Sequence, residues 1–158
     1  MTGQKITPFL WFDNQAEEAA TFYVGVFPNS KILKAVRYGA AGPGPPGSVM
    51  TVEFVLDGRP FVALNGGPHF KFTEAISFVV NCQAQEEVDH YWEKLSAGGT
   101  EVQCGWLRDR WGVPWQIVPT ALPRLLAHED RAVAGRVFAA LGTMVKIDIA
   151  ALERAARG

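Results

Sequence analysis

Two stretches of the chain, FLWFDNQAEEAATFY at residues 9–23 and SFVVNCQAQEEVDHY at residues 77–91, match each other at an offset of 68 positions. Identical residues occupy four positions of this match: Gln15 and Gln83, Ala16 and Ala84, Glu18 and Glu86, Tyr23 and Tyr91. Each stretch begins with a short apolar run, continues with acidic residues and ends with apolar residues at helical spacing. Each is therefore predicted to form a β-strand and then an amphipathic helix that starts at an Asx residue, Asp13 or Asn81.

A second match relates GRPFVAL at residues 58–64 to GVPWQIV at residues 112–118, at an offset of 54 positions. Both segments predict a glycine turn followed by a strand, since proline is tolerated where a strand starts. The smaller offset makes the second copy 14 residues shorter, which matches a glycine- and proline-rich loop at 39–47 that only the first copy has. Further strands are predicted at residues 31–38, 49–56, 100–103 and 105–110.

The two matches predict an α+β chain in which the order βαβββ occurs twice within a single domain, 1–158. The first module covers residues 5–66, a linker covers 67–73, the second module covers 74–118, and a helical tail covers 119–158. In the tail, helices are predicted at 123–128, 130–141 and 148–156, with Asp130 and Asp148 as N-caps. We expect the tail to pack on the modules or on a partner chain.

Composition excludes several classes of protein. Of the 158 residues, 48% are hydrophobic and 20% charged, and the formal net charge is −1, which argues against nucleic-acid or membrane partners. The chain has no apolar stretch near the roughly 20 residues that span a bilayer, and its N-terminus lacks the apolar run of a signal peptide, so a cytoplasmic location is expected. Cys82 and Cys104 are too few for a disulfide framework and are expected to be inert.

A combination of motifs spans residues 5–118: Ile6–Asp13, Ala16–Ala19 with Phe22–Tyr23, Ser30–Ile32, Ala63–Pro68, Phe70–Thr73, Ala75–Phe78 and Asp109–Ile117. This combination resembles the PhnB-like branch of the vicinal-oxygen-chelate superfamily, which includes glyoxalase I, bleomycin-resistance proteins and extradiol dioxygenases. That branch is often catalogued as 3-demethylubiquinone-9 3-methyltransferase, and residues 146–153 also resemble one of its subgroups. The resemblance implies tandem modules whose mixed sheet curls around a cavity, usually in a homodimer and sometimes with exchange of modules.

In the metal-using members of that superfamily, four ligands come from inward positions on the first and last strand of each module. The repeat places the equivalent positions at Thr7, Val62, Ala75 and Gln116. These supply one hydroxyl and one amide, whereas a divalent transition metal favours imidazole, carboxylate or thiolate. The three histidines, His69, His90 and His128, are not at ligand spacing. We therefore expect no metal and no cofactor.

The methyltransferase label lacks support in the glycine-rich stretches at residues 42–47 and 66–68. A typical S-adenosylmethionine site needs a strand, a glycine-rich turn and a helix, on the same physical grounds as the dinucleotide fingerprint. The prolines in both stretches remove amide donors and prevent a helix from starting there.

Strand parity divides the predicted strands into a core side and a cavity side, because successive side chains point to opposite faces. The predicted cavity side carries Thr7, Phe9 and Trp11, then Thr51, Glu53 and Val55, then Ala75, Ser77 and Val79. The predicted core side carries Leu10 and Phe12, then Met50, Val52, Phe54 and Leu56, then Ile76, Phe78 and Val80. The parity of residues 106–110 stays open because a bulge there is compatible with the sequence.

Two polar residues are candidates for catalysis. Glu53 among aromatic side chains would be desolvated and suited to acid/base chemistry, or it pairs with Arg37 or Arg108, or it lies at a wet rim. Gln116 is a candidate hydrogen-bond donor that orients a ligand, the alternative being a bond to a neighbouring strand.

Further residues are candidates for ligand binding. Arg108 could hold an anionic group, or pair with Asp109 or Glu101 on the surface. Trp106 lines the cavity or packs in the core, and His69 closes over the pocket or faces solvent.

The sequence thus predicts a metal-free cavity for a small, partly aromatic or apolar molecule, in a homodimer. The alternatives are a metal-dependent glyoxalase- or dioxygenase-type enzyme, the methyltransferase of the family label, and a non-catalytic dimeric module with a filled cavity. The sequence leaves open whether the protein is an enzyme.

Overall fold

Each copy of the repeat forms its own four-stranded mixed sheet in the computed structural model, which describes residues 4–158. The first unit, up to Phe72, contains β1 (Phe9–Phe12), α1 (Ala16–Val26), β2 (Lys31–Arg37), β3 (Val49–Leu56) and β4 (Arg59–Asn65). The strand order is β1-β4-β3-β2, with β1 parallel to β4 and the other pairs antiparallel. The predicted α+β class and the βαβββ order are confirmed.

The second unit, from Thr73 to Gly158, repeats this order and adds the tail. Its module contains β5 (Phe78–Cys82), α2 (Gln85–Ser96), β6 (Thr100–Glu101), β7 (Trp106–Arg108) and β8 (Pro114–Pro119), in the order β5-β8-β7-β6. The tail forms α3 (Ala121–Leu126), α4 (Arg131–Leu141) and α5 (Ile149–Arg157), so its first helix begins two residues before the predicted Pro123.

The core of the first unit lies between α1 and one face of the sheet. The buried side of α1 is made mostly of alanines, which let the helix approach β3 and β4 closely, and of Tyr23, whose ring stacks on Phe54 at 6.3 Å. Most of the predicted core set is indeed buried: Leu10, Phe12, Val52, Phe54 and Leu56. Met50 is half-buried, at the second position of β3.

The prediction that Ile76 belongs to the core of the second unit is wrong. Ile76 is 72% exposed, because β5 starts only at Phe78 and Ile76 precedes the strand. The core side of this unit instead begins with Phe78, whose ring lies 5.5 Å from that of Trp115, and continues with the buried Val80.

The predicted Asx starts of the repeated helices are also wrong. Gln15 and Ala84 occupy the N-cap positions of α1 and α2, and neither makes a side-chain capping bond. The first N–H of α1, at Ala16, instead donates to the side-chain oxygen of Asn65 at 2.8 Å, from the end of β4. The same Asn65 amide donates to the carbonyl of Val49, so one side chain joins the helix start to two strands. The acidic first turns, Glu17–Glu18 and Glu86–Glu87, are as predicted.

The tail packs on the second module, one of the two alternatives that the sequence left open. Its helices share a buried cluster of Leu122, Leu125, Val137, Ile147 and Leu152. The Gln85 amide of α2 donates to the carbonyl of Ile147 and accepts from the N–H of Ile149. Asp130 and Asp148 are the N-caps of α4 and α5, as predicted.

A surface ion pair adds to this attachment of the tail. Lys146 lies 2.9 Å from Asp89 on α2, and hydrogen bonds from Lys146 and Gln85 lower the pKa of the Asp89 carboxyl. No helix among residues 4–158 is long and apolar enough to cross a membrane.

The Asn65 contacts lead to a prediction about stability. Asn65→Ala is expected to lower the free energy of unfolding by about 1–3 kcal/mol, because it leaves the Ala16 N–H and the Val49 carbonyl without their partner. Urea unfolding followed by far-UV circular dichroism measures this loss.

Asn81→Ala is the matched control, since Asn81 is exposed and its side chain makes no hydrogen bond with any residue of 4–158. It should change the free energy of unfolding by less than about 0.5 kcal/mol. Equal losses in the two variants would contradict the assigned role of Asn65.

Candidate functional site

One face of the first sheet carries no helix, and the predicted cavity residues of that module lie on it. The strand register places Phe9, Val62, Glu53 and Lys34 side by side across the four strands. A second row two residues along consists of Trp11, Leu64, Thr51 and Val36. We call these two rows the first open face. Phe9 is 58% exposed there, whereas Leu10 beside it is buried on the opposite face.

Glu53 is half-buried between apolar and cationic neighbours on this face. Val62 lies opposite it on β4 and Lys34 on β2. Neither arginine proposed as its partner is engaged with it: Arg37 donates to the carbonyl of Gly47, and Arg108 pairs with Glu74. Within residues 4–158 no ion pair or side-chain hydrogen bond involves Glu53, so its carboxylate is available to a ligand.

Trp11 is a fixed wall of the first open face. Its indole N–H donates to the carbonyl of Gly67 at 2.9 Å, and its ring meets Phe70 edge-on at 4.8 Å. A Cβ on Gly66 would come within 2.4 Å of the indole, so this position requires a glycine. Thr7, predicted as a further lining residue, is half-buried and lies in the segment before β1.

The second sheet has a corresponding face, against which the tail helices pack at Val118, two residues along β8 from Gln116. Val79, Gln116 and Trp106 are side by side across β5, β8 and β7, and Arg108 follows two residues after Trp106. We call this set, with Ser77, the second open face. Leu107 is fully buried on the other side, so the structure assigns the parity of residues 106–108 that the sequence left open.

The polar residues of the second open face are engaged with one another or with the surface. Gln116 donates to the Ser77 hydroxyl at 2.8 Å, a bond to the first strand of the module. Arg108 pairs with Glu74 at 3.0 Å, so the alternative pairing with Asp109 or Glu101 is wrong. The apolar side chains of this face are Val79, which is exposed, and Trp106, which is half-buried beside Gln116.

The role of Asp109, which is 3% exposed, was not predicted from the sequence. One carboxylate oxygen accepts from the backbone N–H groups of Trp111 and Val113, and the other accepts from the indole N–H of Trp115 at 2.9 Å. Asp109 thereby fixes the turn between β7 and β8 and holds Trp115 in the core. An aspartate three residues before Gly112 is the local signal of such a turn.

A pocket of about 520 Å³ lies where β1 and β4 end and β3 begins, and we call it the loop pocket. Its walls are Asp13, Asn14 and Glu17, Tyr38, residues 43–45 with Ser48 and Val49, and residues 65–69. His69, for which closure over the cavity and exposure to solvent were the two alternatives, is exposed and lines this pocket rather than an open face. The only hint in the sequence was the extra loop 39–47, which supplies one wall.

The donor chemistry at the superfamily's metal positions does not fit a transition metal. Phe9, rather than Thr7, is level with Val62, and Val79 is level with Gln116, whose amide already bonds Ser77. Across the described part of the chain, no group of three or more His, Cys, Asp or Glu side chains is placed to hold a metal ion. These positions therefore lack the donors that would hold a transition metal.

The two cysteines differ in burial: Cys82 is buried, whereas Cys104 is half-buried. Burial, and secondarily the charge of Glu87, raises the pKa of the Cys82 thiol to about 12. Cys82 is therefore protonated near neutral pH and not a nucleophile.

Comparison with known proteins agrees with this architecture. The family model described as 3-demethylubiquinone-9 3-methyltransferase matches residues 4–118. The structure of the PhnB protein from Bacillus cereus is 37% identical, with a TM-score of 0.68, covering 74% of this chain and 100% of that one. No curated protein matches the chain.

Two more distant structures share the fold alone. Protein PA1353 from Pseudomonas aeruginosa is 20% identical with a TM-score of 0.61, covering 74% of this chain and 98% of that one. The fosfomycin resistance protein FosX from Listeria monocytogenes is 16% identical with a TM-score of 0.56, covering 81% of this chain and 100% of that one.

Two βαβββ units, each with its own four-stranded mixed sheet, define a protein of the vicinal-oxygen-chelate superfamily. Within it, the chain belongs to the PhnB-like family described as 3-demethylubiquinone-9 3-methyltransferase.

Proposed function

We propose that this protein binds a small, partly aromatic or apolar molecule on the open faces of its sheets, without a metal ion or cofactor. The observation that carries the proposal is that Phe9, on the edge strand β1, is 58% exposed at one end of a row of side chains on a sheet face that no helix covers. The alternate residues of the same strand, Leu10 and Phe12, are buried. Exposure of Phe9 is thus a property of this one face.

Apolar burial supplies the driving force in this proposal. Covering apolar surface contributes roughly 25 cal/mol per Å², so a ligand that covers the Phe9 ring gains substantial affinity from it. Trp11 gives a rigid second wall, because its indole is already tied to Gly67 and Phe70. Thr7, just before β1, is assigned to the rim of the same site.

Polar groups on the open faces orient the ligand in this proposal. Glu53 offers a carboxylate with no protein partner among the described residues, two strands away from Phe9. On the second open face, the Gln116 amide and the Ser77 hydroxyl form a hydrogen-bonding pair beside Trp106, and Arg108 adds a cation. The mixture of aromatic walls and few polar groups is typical of small-molecule sites.

The first test uses N-phenyl-1-naphthylamine, an uncharged aromatic probe whose fluorescence rises on binding apolar surface. Phe9→Ser is expected to weaken its binding about tenfold, because the variant removes much of the apolar surface that the probe covers. Phe138→Ser is the control, since Phe138 is 67% exposed on α4 in the tail. Its effect is expected to be less than twofold.

Glu53→Gln separates binding from chemistry at the same face. Probe affinity should stay within about twofold of the unmodified protein, because the probe carries no charge for Glu53 to attract. A reaction that needs Glu53 as acid or base would instead lose turnover in this variant while the fold is retained. Equal effects of Phe9→Ser and Phe138→Ser, or no probe binding at all, would rule the proposal out.

The two enzymatic alternatives make distinct predictions. Elemental analysis of the purified protein is expected to find much less than one Fe, Zn, Ni or Mn per chain, because Thr7, Val62, Ala75 and Gln116 lack suitable donors. Calorimetry is expected to detect no micromolar binding of S-adenosylmethionine, since residues 42–47 lead into β3 rather than into a helix. A tightly held metal or micromolar S-adenosylmethionine binding favours the corresponding enzyme.

We also propose a homodimer. Large apolar side chains stay exposed in the single chain, among them Ile6 at 86% and Ile76 at 72%. Such surface commonly marks a protein interface. Light scattering after size exclusion is expected to give about 35 kDa, twice the 17.3 kDa of one chain, whereas a mass of one chain at micromolar concentration contradicts the dimer.

A further inference from the structure

We infer that the loop pocket is a second ligand site, which binds a small organic cation: an ammonium or amidinium group attached to a ring or short apolar body. The inference does not depend on the proposed function of the open faces. Phe9 is at the start of β1, whereas Asp13 follows the end of that strand, so the two places are roughly 13 Å apart along the chain.

The size and rigidity of the pocket suit a small molecule. Its volume of about 520 Å³ lies within the roughly 300–1,000 Å³ of small-molecule sites. The Tyr38 hydroxyl donates to the carbonyl of Asn65, and the N–H of Gly67 donates to the carbonyl of Asp13 at 3.1 Å. The walls are therefore tied to one another before any ligand arrives, which reduces the entropy lost on binding.

The extra loop of the first module forms a wall that only this unit has. Gly42 and Gly44 lie against the two edges of the Tyr38 ring, where an added Cβ would come within 2.4 Å at either position. The Ser48 hydroxyl donates to the carbonyl of Pro45 and holds the loop in this shape. The second module joins β6 to β7 with only residues 102–105 and has no counterpart of this wall.

Charge determines the class of ligand. The lining contains two carboxylates, Asp13 and Glu17, one histidine, His69, and no lysine or arginine. Neither carboxylate forms an ion pair or a side-chain hydrogen bond with any residue of the described chain, 4–158. Two like charges that share the wall of a concavity focus a negative potential into it, which attracts a cation.

The rest of the lining favours an organic cation over a metal ion or an anion. Proline rings and the Val49 side chain form the apolar part of the wall. The N–H of Ala16, the first of α1, is not available to an anion, since it already donates to Asn65. Asp13 and Glu17 would in addition repel an anion.

A series of isosteric probes tests the inference on the full chain: benzamidine, which is cationic, benzamide, which is neutral, and benzoate, which is anionic. Binding is followed by chemical shifts of backbone amides in ¹H–¹⁵N spectra. Benzamidine is expected to shift the amides of Gly44, Ser48 and Gly67. Benzamide should bind at least about fivefold more weakly, and benzoate should cause no shift at these positions.

Matched variants separate the pocket from general surface charge. Glu17→Gln and Asp13→Asn are each expected to weaken benzamidine binding about three- to tenfold. Glu18→Gln is the control, because Glu18 is exposed on the same turn of α1 but does not line the pocket. This control is expected to leave benzamidine binding unchanged.

Three results would overturn the inference: equal binding of benzamidine and benzamide, absence of shifts around the pocket, or equal losses in Glu17→Gln and Glu18→Gln. Each is distinguishable from failure of the proposed function, since none of them involves the uncharged probe of the first open face.

Discussion

The packing of α1 on one face of the first sheet is the constraint on which the rest of the unit depends. Alanines on the buried side of the helix bring its backbone close to β3 and β4, and the Tyr23 ring fills the remaining space against Phe54. Because side chains alternate along a strand, covering one face assigns every second residue to the core. The residues between them, Phe9 and Glu53 included, are left on the uncovered face.

Each of the two units is held together by different polar side chains, which we call the polar anchors. In the first, Asn65 joins the start of α1 to β3, and Tyr38 binds the carbonyl of Asn65. In the second, the buried carboxylate of Asp109 binds two backbone N–H groups and the indole of Trp115. A buried polar group is tolerated when all its partners are present, and such groups then fix a turn in one conformation. The anchors thus hold the strands that carry both open faces.

Local pattern was enough to predict the elements and most of the core. Alternation in residues 49–56 correctly separated Val52, Phe54 and Leu56 from Glu53, and Asp130 and Asp148 were recognisable as caps because a cap acts within three residues. The predictions failed where a residue's partner is distant in the sequence. The cap of α1 comes from Asn65, 49 positions away, and the partner of Arg108 is Glu74, 34 positions away. Ile76 was misassigned because its strand starts two residues later.

For the candidate site, as for the core, the sequence predicted which residues share a face but not their contacts with distant residues. Parity along the strands placed Phe9, Trp11 and Glu53 on one face, but it gave no indication that Trp11 is tied to Gly67. The loop pocket was not predictable, because its walls come from three segments that are separate in the sequence.

A titration with N-phenyl-1-naphthylamine, followed in ¹³C-methyl spectra, shows whether the uncovered face of the first sheet binds a small apolar molecule. We expect shifts for the methyls of Val62 and Val55, which lie on the uncovered side of β4 and β3, and none for Val52 on the buried side. Shifts confined to Val137 in the tail, with Val62 unchanged, would contradict this expectation.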